Sequence, residues 1–193
     1  MQDEIRRIFD ESRCTTRQAE EHLAGRVQQA VEIIIECYRS GGGLLIFGNG
    51  GSAADAQHIA CELVGRFFRD RPGLRAQALT ADPVVVTSIA NDYGFEAIFA
   101  RQVEACGRKG DVAIGLSTSG NSPNVVAALA AARGRGLKTI AMTGEGGGRC
   151  AALADVLLDV PCKCTPRVQE AHSVIYHIIC QLVEAAAFEG ANG

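Results

Sequence analysis

The chain lacks three features that mark common functional classes. A membrane-spanning helix needs about 20 consecutive apolar residues, and no stretch of the 193-residue sequence approaches that length. The formal net charge is −3, so there is no basic field to attract nucleic acid. The nucleotide-binding pattern G-x-x-x-x-G-K-[ST] is also absent. We therefore expect neither a membrane nor a nucleic-acid partner, and any anionic substrate must be held by local dipoles.

The first residues and the cysteines indicate a reducing compartment. Met1 to Asp10 is charged and helix-like, unlike the apolar core of a secretory leader, so we expect a cytoplasmic protein with reduced thiols. Cys162 and Cys164 form a C-x-C pair, and a single pair of this kind is more often structural than metal-binding. Five other cysteines stand alone in apolar surroundings, where thiols mostly pack as small apolar groups: Cys37, Cys61, Cys106, Cys150 and Cys180.

Apolar runs alternate with helical patterns along most of the chain. Apolar residues at helical spacing, such as Ile5, Val27 and Val31, predict helix over residues 3–39. Five runs are typical of strands: Leu44–Phe47, Ala76–Leu79, Val112–Leu116, Lys138–Met142 and Val156–Val160. Further helical patterns cover 53–67, 94–107, 123–135, 149–154 and 167–189. This alternation predicts one α/β domain over residues 1–193, with a doubly wound five-stranded parallel sheet and helices on both faces.

The first and last helices are long and mostly apolar on one side. A five-stranded sheet is too small to cover both of them, although ordinary packing on the sheet edge is an alternative. We therefore favour oligomerisation through a helical bundle to which residues 1–40 contribute.

A glycine-rich turn follows the first predicted strand. The segment Gly48 to Ser52 separates the apolar run from a helical pattern, so the order is strand, turn, helix. Glycine lets the backbone approach a ligand closely, and the first N–H groups of a helix attract anions. The loops 48–52, 80–92 and 117–122 all follow predicted strands, whose carboxyl ends are where such sheets bind ligands.

His58 and Glu62 lie four residues apart in the next helix, so they share one face. Such a pair is often only a solvated pair on a helix surface. Next to an anion-binding turn, however, it suggests chemistry on a phosphorylated molecule. Asp55, one turn before His58, is either a favourable charge at the helix N-terminus or a group that orients the histidine.

A second predicted strand-to-helix turn is rich in hydroxyl groups. The segment Ser117 to Ser122 precedes Pro123, which suits the first turn of a helix. Ser122 alone would satisfy a simple N-cap, but three serines and a threonine exceed what a cap needs. We therefore favour phosphate binding by this loop.

The last predicted helix holds Gln169, Glu170, His172 and His177, and thus two of the four histidines of the chain. Each histidine is compatible with an ordinary core or surface position, and His172, which has no motif partner, is assigned a structural role. Zinc accepts imidazole and carboxylate ligands, whereas a glutamine ligand is unusual and would not be proposed from these residues alone.

Four segments together resemble the sugar isomerase (SIS) domain family and, within it, the phosphoheptose isomerases. They occur in the order of that family and extend over nearly the whole chain. They are Gly48-Asn49-Gly50-Gly51-Ser52-Ala53 with His58 and Glu62; Asn91-Asp92-Tyr93-Gly94; Ser117-Thr118-Ser119-Gly120-Asn121-Ser122; and Thr165-Pro166-Arg167-Val168-Gln169-Glu170 with His177. The resemblance implies the SIS fold, which is flavodoxin-like, and a homotetramer whose sites lie at subunit interfaces.

The resemblance also implies roles for individual residues. One zinc per subunit is held in that family at the positions of His58, Glu62, Gln169 and His177, and the positions of Glu62 and His177 serve in acid–base catalysis. The positions matching substrate contacts are Asn49, Gly50, Gly51, Ser52, Glu62, Asn91, Asp92, Ser117, Thr118, Ser119, Ser122 and Gln169. The implied reaction is an aldose–ketose isomerisation of sedoheptulose 7-phosphate to D-glycero-D-manno-heptose 7-phosphate through a cis-enediol(ate). It is the first step of bacterial heptose biosynthesis for lipopolysaccharide or other surface glycans.

Two non-enzymatic classes of SIS protein are alternatives. Some relatives bind a replication initiator, and others sense phosphosugars and regulate transcription. A transcriptional regulator would need a DNA-binding segment, and none is present in these residues. The initiator-binding class is harder to exclude, and the complete acid–base and metal set argues against it.

Overall fold

The computed structural model describes residues 1–188 and contains, within them, five strands and six α-helices. The strands are β1 (Leu44–Gly48), β2 (Ala76–Ala78), β3 (Val112–Ser117), β4 (Lys138–Thr143) and β5 (Val156–Asp159). The helices are α1 (Gln2–Arg39), α2 (Gly51–Val64), α3 (Pro83–Tyr93), α4 (Ala100–Cys106), α5 (Pro123–Gly134) and α6 (Thr165–Ala187). Short 3₁₀ helices occupy Phe95–Ala97 and Gly148–Leu153. Every predicted strand is present.

All five strands run parallel in one sheet of order β2-β1-β3-β4-β5. Leu44 of β1 pairs with Ala76 of β2 on one side and with Val112 of β3 on the other. The direction of winding therefore reverses between β1 and β3, and the loops that follow these two strands leave the sheet side by side. Doubly wound sheets bind their ligands at this point. The predicted fold class is confirmed.

Helices cover both faces because strand side chains alternate between the two faces. Leu44 and Ile46 of β1 belong to a core that includes residues of α1, α2 and α6. Leu45 and Phe47 belong to a second core, which includes residues of α4 and α5 and is covered further by partly buried residues of α3. Strand β1 is buried along its whole length, as a central parallel strand between two helical layers must be.

The prediction of a loop over residues 80–92 is wrong, because most of that segment forms α3. Asp82 caps this helix, since its carboxylate accepts hydrogen bonds from the N–H groups of Val84 (2.9 Å) and Val85 (3.0 Å). Pro83 occupies the first helical turn. The β-branched run that begins at Val84 has a low helix propensity, which obscured these start signals in the sequence.

Other predicted helix boundaries differ by a few residues. The helix predicted at 53–67 begins at Gly51 and ends at Val64. The segment 94–107 contains a 3₁₀ turn followed by the short α4 rather than one continuous helix. The predicted end of the last helix, residue 189, lies outside the described residues. Within residues 1–188, no helix is both long enough and apolar enough to cross a bilayer.

The thiols divide into a buried and an exposed group. Cys37, Cys150 and Cys180 are buried, as expected for packed thiols. Burial raises the pKa of Cys37 and Cys150 to about 11 and that of Cys180 to about 12. These three thiols therefore stay protonated at neutral pH. Cys61 and Cys106 are exposed on α2 and α4, contrary to the expectation of packing.

His172 anchors α6 to the sheet. Its side chain is fully buried, and its Nε2 lies 3.0 Å from the carbonyl oxygen of Thr143 at the end of β4. Nε2 must donate in this contact, which leaves the buried Nδ1 without a hydrogen-bond partner in the described chain. Burial lowers the pKa of His172 to about 4, and the bond to Thr143 offsets only part of that effect. These contacts agree with a structural role.

We expect the fold to lose stability as the pH falls from about 6.5 to about 4. In this window His172 takes up a proton in the unfolded chain but not in the folded one, so the free energy of unfolding decreases towards acid. The full difference is about 3 kcal/mol. Urea unfolding at a series of pH values measures it. The decrease should be smaller in His172→Gln, whose amide still donates to Thr143; an identical pH dependence in both proteins would contradict the assignment.

Candidate active site

Helices α2 and α6 lie side by side and run in the same direction. Near the N-terminal end of both, the amide of Gln169 packs so closely on Gly51 that a β-carbon there would lie 2.4 Å from Nε2. Further along, the ring centroids of His58 and His177 are 5.0 Å apart. The two helices therefore present successive turns to each other in the same order.

Three side chains from these helices meet in one cluster. His58 Nε2 lies 2.9 Å from Glu62 Oε1. His177 supplies the third group, and one ligand atom from each of the three residues lies within 4.8 Å of the others. A solvated His–Glu pair would explain the first contact but not the approach of His177 from another helix. Among residues 1–188, no other group of three or more His, Cys, Asp or Glu side chains brings its ligand atoms close enough together to share a metal ion.

A tyrosine that the sequence reasoning missed contacts the second ring nitrogen of His58. The Tyr176 hydroxyl lies 3.2 Å from His58 Nδ1 and 3.5 Å from Asp55 Oδ1. Burial raises the pKa of Asp55, and the hydrogen bond from Tyr176 and the nearby His58 only partly oppose this. The arrangement favours the interpretation of Asp55 as a group that orients the histidine. Tyr176 lies seven residues from Gln169 and thus on the same face of α6, which was the available signal.

The cluster has the chemistry of a metal site. Two imidazoles and a carboxylate are ligands that zinc accepts, and a metal-bound histidine commonly has its other nitrogen held by an oxygen, as Tyr176 holds His58. Two ligand atoms on a tetrahedral zinc are about 3.3 Å apart, close to the 2.9 Å between His58 and Glu62. The residues present therefore fit a metal ion. Gln169 makes no hydrogen bond to the three side chains within the described chain, and its amide lies against Gly51.

The glycine turn between β1 and α2 depends on the absence of side chains. A β-carbon at Gly48 would lie 2.8 Å from the carbonyl oxygen of Ser52, and Gly50 has a φ of +57°. Among the residues that the structure describes, no side chain caps α2, so its first N–H groups are available to an anion. Ser52 is buried in this first turn. Asn49 has a different task, because its amide forms two hydrogen bonds of 2.8 Å with the amide of Asn124 in α5.

The hydroxyl-rich loop after β3 forms a compact cluster. Ser117 Oγ lies 2.9 Å from Ser122 Oγ and 3.5 Å from Ser119 Oγ. Ser122 occupies the N-cap position of α5, but its hydroxyl does not cap a helix N–H, so a plain N-cap does not account for it. Gly120 has a φ of +66°, and a β-carbon there would lie 2.2 Å from the carbonyl oxygen of Gly147. Three hydroxyls thus gather at the N-terminal end of α5.

Several predicted site residues lie outside these clusters. Asn91 and Asp92 are exposed near the C-terminal end of α3, where Asn91 donates to Asp92 (2.8 Å). In the described chain no hydrogen bond links this pair to the other predicted residues. Thr118 is half-buried in the hydroxyl-rich loop, and its carbonyl accepts a bond from Gly144. The C-x-C pair forms a local contact, in which the Cys164 N–H donates to the sulfur of Cys162 (3.4 Å).

The sequence of this fold matches a known family. Residues 8–144, more than half of the chain, match the model of the SIS domain. The chain therefore belongs to the SIS domain family, as its glycine turn and hydroxyl-rich loop indicate.

Within this family the chain is similar to proteins named phosphoheptose isomerase. It is 52% identical to one from Burkholderia pseudomallei over 170 residues, which cover 88% of this chain and 86% of that protein. It is 50% identical to one from Geobacter sulfurreducens over 188 residues, with coverage of 97% and 100%. The structure of phosphoheptose isomerase from Neisseria gonorrhoeae superposes with a TM-score of 0.90 at 44% identity, covering 95% of this chain and 98% of that one. The resemblance inferred from the motifs is confirmed.

Proposed function

We propose that this protein is an aldose–ketose isomerase that converts sedoheptulose 7-phosphate to D-glycero-D-manno-heptose 7-phosphate. The observation that carries the proposal is the convergence of His58, Glu62 and His177 in a chain about half identical to phosphoheptose isomerases along nearly its full length. The reaction begins heptose synthesis for lipopolysaccharide or another surface glycan, and we place it in the cytoplasm. No observation favours the initiator-binding alternative. That alternative also gives His58, Glu62 and His177 no role.

The chemistry needs a base beside the substrate carbonyl and a second proton carrier. Glu62 is our candidate for the base, and it removes the proton from the carbon next to the carbonyl. The electrons of that C–H bond form the carbon–carbon double bond of a cis-enediol(ate), and the former carbonyl oxygen gains the negative charge or a proton. Return of a proton to the former carbonyl carbon, with loss of the hydroxyl proton from the other enediol carbon's oxygen, moves the carbonyl by one position. His177 is the acid–base partner of Glu62 in these transfers.

The distal phosphate is assigned to the hydroxyl-rich loop. Ser117, Ser119 and Ser122 supply neutral donors beside the N-terminal N–H groups of α5, and oriented neutral dipoles are suited to hold an anion in a chain of net charge −3. Binding energy gained at this end positions the reacting carbons at the other. Gly50, Gly51 and Ser52 extend the anion site from the first turn of α2.

The phosphate assignment predicts that Ser119→Ala weakens substrate binding much more than Ser40→Ala does. Ser119 is exposed within the loop, whereas the Ser40 hydroxyl, just after the end of α1, donates to Glu36. Loss of a hydrogen bond to a charged group costs about 1.5–3 kcal/mol, or roughly 10- to 150-fold in affinity. Substrate affinity measured by calorimetry tests this. Small and equal effects of the two substitutions would count against the loop.

Zinc is the metal that we propose for the cluster, one ion per subunit, held by His58, Glu62, Gln169 and His177. When bound, it supplies Lewis-acid polarisation of the substrate carbonyl. Contact with a cation lowers the basicity of a ligand. Glu62 and His177 are therefore unable to bind the metal fully and accept a proton at the same time. We infer that the contacts of these two side chains with the metal would change during turnover.

The metal assignment predicts that the purified protein contains zinc and that His58→Ala loses most of it. Tyr176→Phe removes the hydroxyl that contacts His58 Nδ1 and should lower zinc affinity by about 10- to 100-fold. His22→Ala is the matched control, because His22 is exposed on α1. Elemental analysis and competition with a chelator measure both effects. If the wild-type protein holds no metal and keeps full activity in chelator, the metal role is wrong.

Self-association is proposed through the exposed faces of α1 and α6. Val174, Ile178 and Leu182 recur every four residues on α6 and are 42–44% exposed. They line an apolar groove between α6 and α1. Burial of such a stripe against another copy removes apolar surface from water. We propose a homotetramer built on these helices, with its sites at the subunit interfaces, as in the family that the chain resembles.

The assembly proposal predicts a tetramer by light scattering at micromolar concentration. Ile178→Glu places a charge in the apolar groove and should dissociate it. Ala130→Glu adds the same charge to an exposed position of α5, across the sheet, and should leave the tetramer intact. A stable wild-type monomer would refute the proposal.

The catalytic assignment predicts that Glu62→Gln keeps the fold and the phosphate affinity but nearly abolishes turnover. The amide preserves size and hydrogen bonding but does not accept a proton at neutral pH, and general base catalysis contributes about 10²–10⁴-fold. Glu21→Gln, on the exposed side of α1, makes the same change of charge and should retain activity. Exchange of the substrate's C1 proton in heavy water reports the base directly. If wild-type protein supplied with zinc incorporates no deuterium, the isomerase proposal gives way to the binding protein.

A further inference from the structure

A buried ion pair lies beyond the C-terminal end of α2, outside the cluster described above. The side chains of Arg71 and Glu184 are each only 2% exposed, and Arg71 Nε donates to Glu184 Oε1 at 2.9 Å. Two buried charges must be well hydrogen-bonded, because removal from water is costly. An apolar pair of similar volume is often as stable, so such a pair suggests a role in defining geometry.

The guanidinium group of Arg71 closes the end of α2. Nη2 donates to the carbonyl oxygen of Glu62 at 2.9 Å, and Nη1 donates to those of Leu63 (2.7 Å) and Gly65 (3.0 Å). The last carbonyls of a helix have no partners within the helix. Arg71 thus supplies hydrogen-bond donors for the last carbonyls of α2, including that of Glu62, whose side chain is the candidate base.

The carboxylate of Glu184 holds the other side of the same structure. It accepts the backbone N–H groups of Phe67 (2.9 Å), Phe68 (2.7 Å) and Arg69 (3.1 Å). Burial opposes the charge of Glu184, but these donors together with Arg71 lower its pKa on balance. The chain that leaves α2 is therefore attached to α6 through one carboxylate.

This attachment reaches the candidate acid–base partner directly. Glu184 follows His177 by seven residues, so both lie on the face of α6 that meets α2. The ring of Phe67, whose N–H is bonded to Glu184, has its centroid 6.0 Å from that of His177. One bonded unit thus connects the backbone of Glu62, the ring of Phe67 and the helix of His177.

We propose that Arg71 and Glu184 are a positioning pair that fixes the placement of Glu62 relative to His177 for proton transfer. This proposal rests on the function proposed above. The pair does not touch the hydroxyl-rich loop, so its loss misaligns the proton-transfer groups while the phosphate end of the site is kept. Small misplacements of reacting groups lower the rate by up to about 100-fold.

Two variants test the pair. Glu184→Gln removes the charge that Arg71 and three N–H groups share, and Arg71→Lys keeps a cation near Glu184 but cannot bridge the same carbonyl oxygens. Each should lower kcat by about 10- to 100-fold with little change in KM, measured well below the unfolding temperature of each protein. Arg71→Lys retains the ion pair and provides a folded variant if Glu184→Gln does not fold.

The matched control is Asp111→Asn. Asp111 is also a buried carboxylate that pairs with an arginine, Arg75, and it accepts the backbone N–H groups of Gly43 and Arg108 at the start of β1 and β3. Its loss should lower the unfolding temperature but leave kcat unchanged. If Glu184→Gln and Arg71→Lys both keep the wild-type kcat, the positioning role is wrong. It is also wrong if Asp111→Asn lowers kcat as much as they do.

A readout that does not require activity separates this proposal from the proposed function. Nuclear Overhauser contacts between the rings of Phe67 and His177 should be present in the wild-type protein and weakened in Arg71→Lys. If the wild type is inactive on sedoheptulose 7-phosphate, the isomerase proposal fails, and the ring contact still decides whether the pair positions His177. Unchanged ring contacts in Arg71→Lys would overturn the positioning proposal even in an active enzyme.

Discussion

The packing of α2 against α6 in the same direction is the constraint on which the candidate site depends. Because both helices begin at the carboxyl edge of the sheet, each turn of one helix meets the corresponding turn of the other. Gly51 meets Gln169, His58 meets His177, and the end of α2 meets Glu184 through Arg71. A helix rises 1.5 Å per residue, so His58 lies about 10 Å from Gly51 along the axis of α2. The sheet thereby determines the distance between the glycine turn and the His58–Glu62–His177 cluster.

The site has no cationic side chain among the residues assigned to the phosphate. Its donors are hydroxyls and backbone N–H groups, whose directions are fixed by the turns that hold them. Fixed dipoles need not reorganise when an anion arrives, whereas flexible lysines lose side-chain entropy on binding. Recognition of this kind depends on shape. That dependence explains why the turns contain glycines at positions where a β-carbon would collide with the backbone, as at Gly48 and Gly120.

The strands and the residue types of the site were predictable because each leaves a local signal. Continuous apolar runs mark strands that are buried on both faces, and the glycine turn and the serine loop are contiguous in sequence. The helix α3 was missed because valines after Pro83 favour strand when read locally, whereas the cap at Asp82 depends on backbone geometry. Tyr176 and Glu184 were missed for another reason. Their partners lie on α2 and in the loop that follows it, more than 100 residues away in sequence.

The reciprocal amide pair of Asn49 and Asn124 has a chemical consequence. It joins the turn after β1 to the helix after β3, and it works because each amide offers one donor and one acceptor to the other. Deamidation of either residue would replace the donor by an oxygen, so that two acceptors would face each other in a half-buried space. Slow covalent ageing of a single side chain would then weaken the link between the turn after β1 and the N-terminal end of α5, at a distance from the contacts of His58, Glu62 and His177.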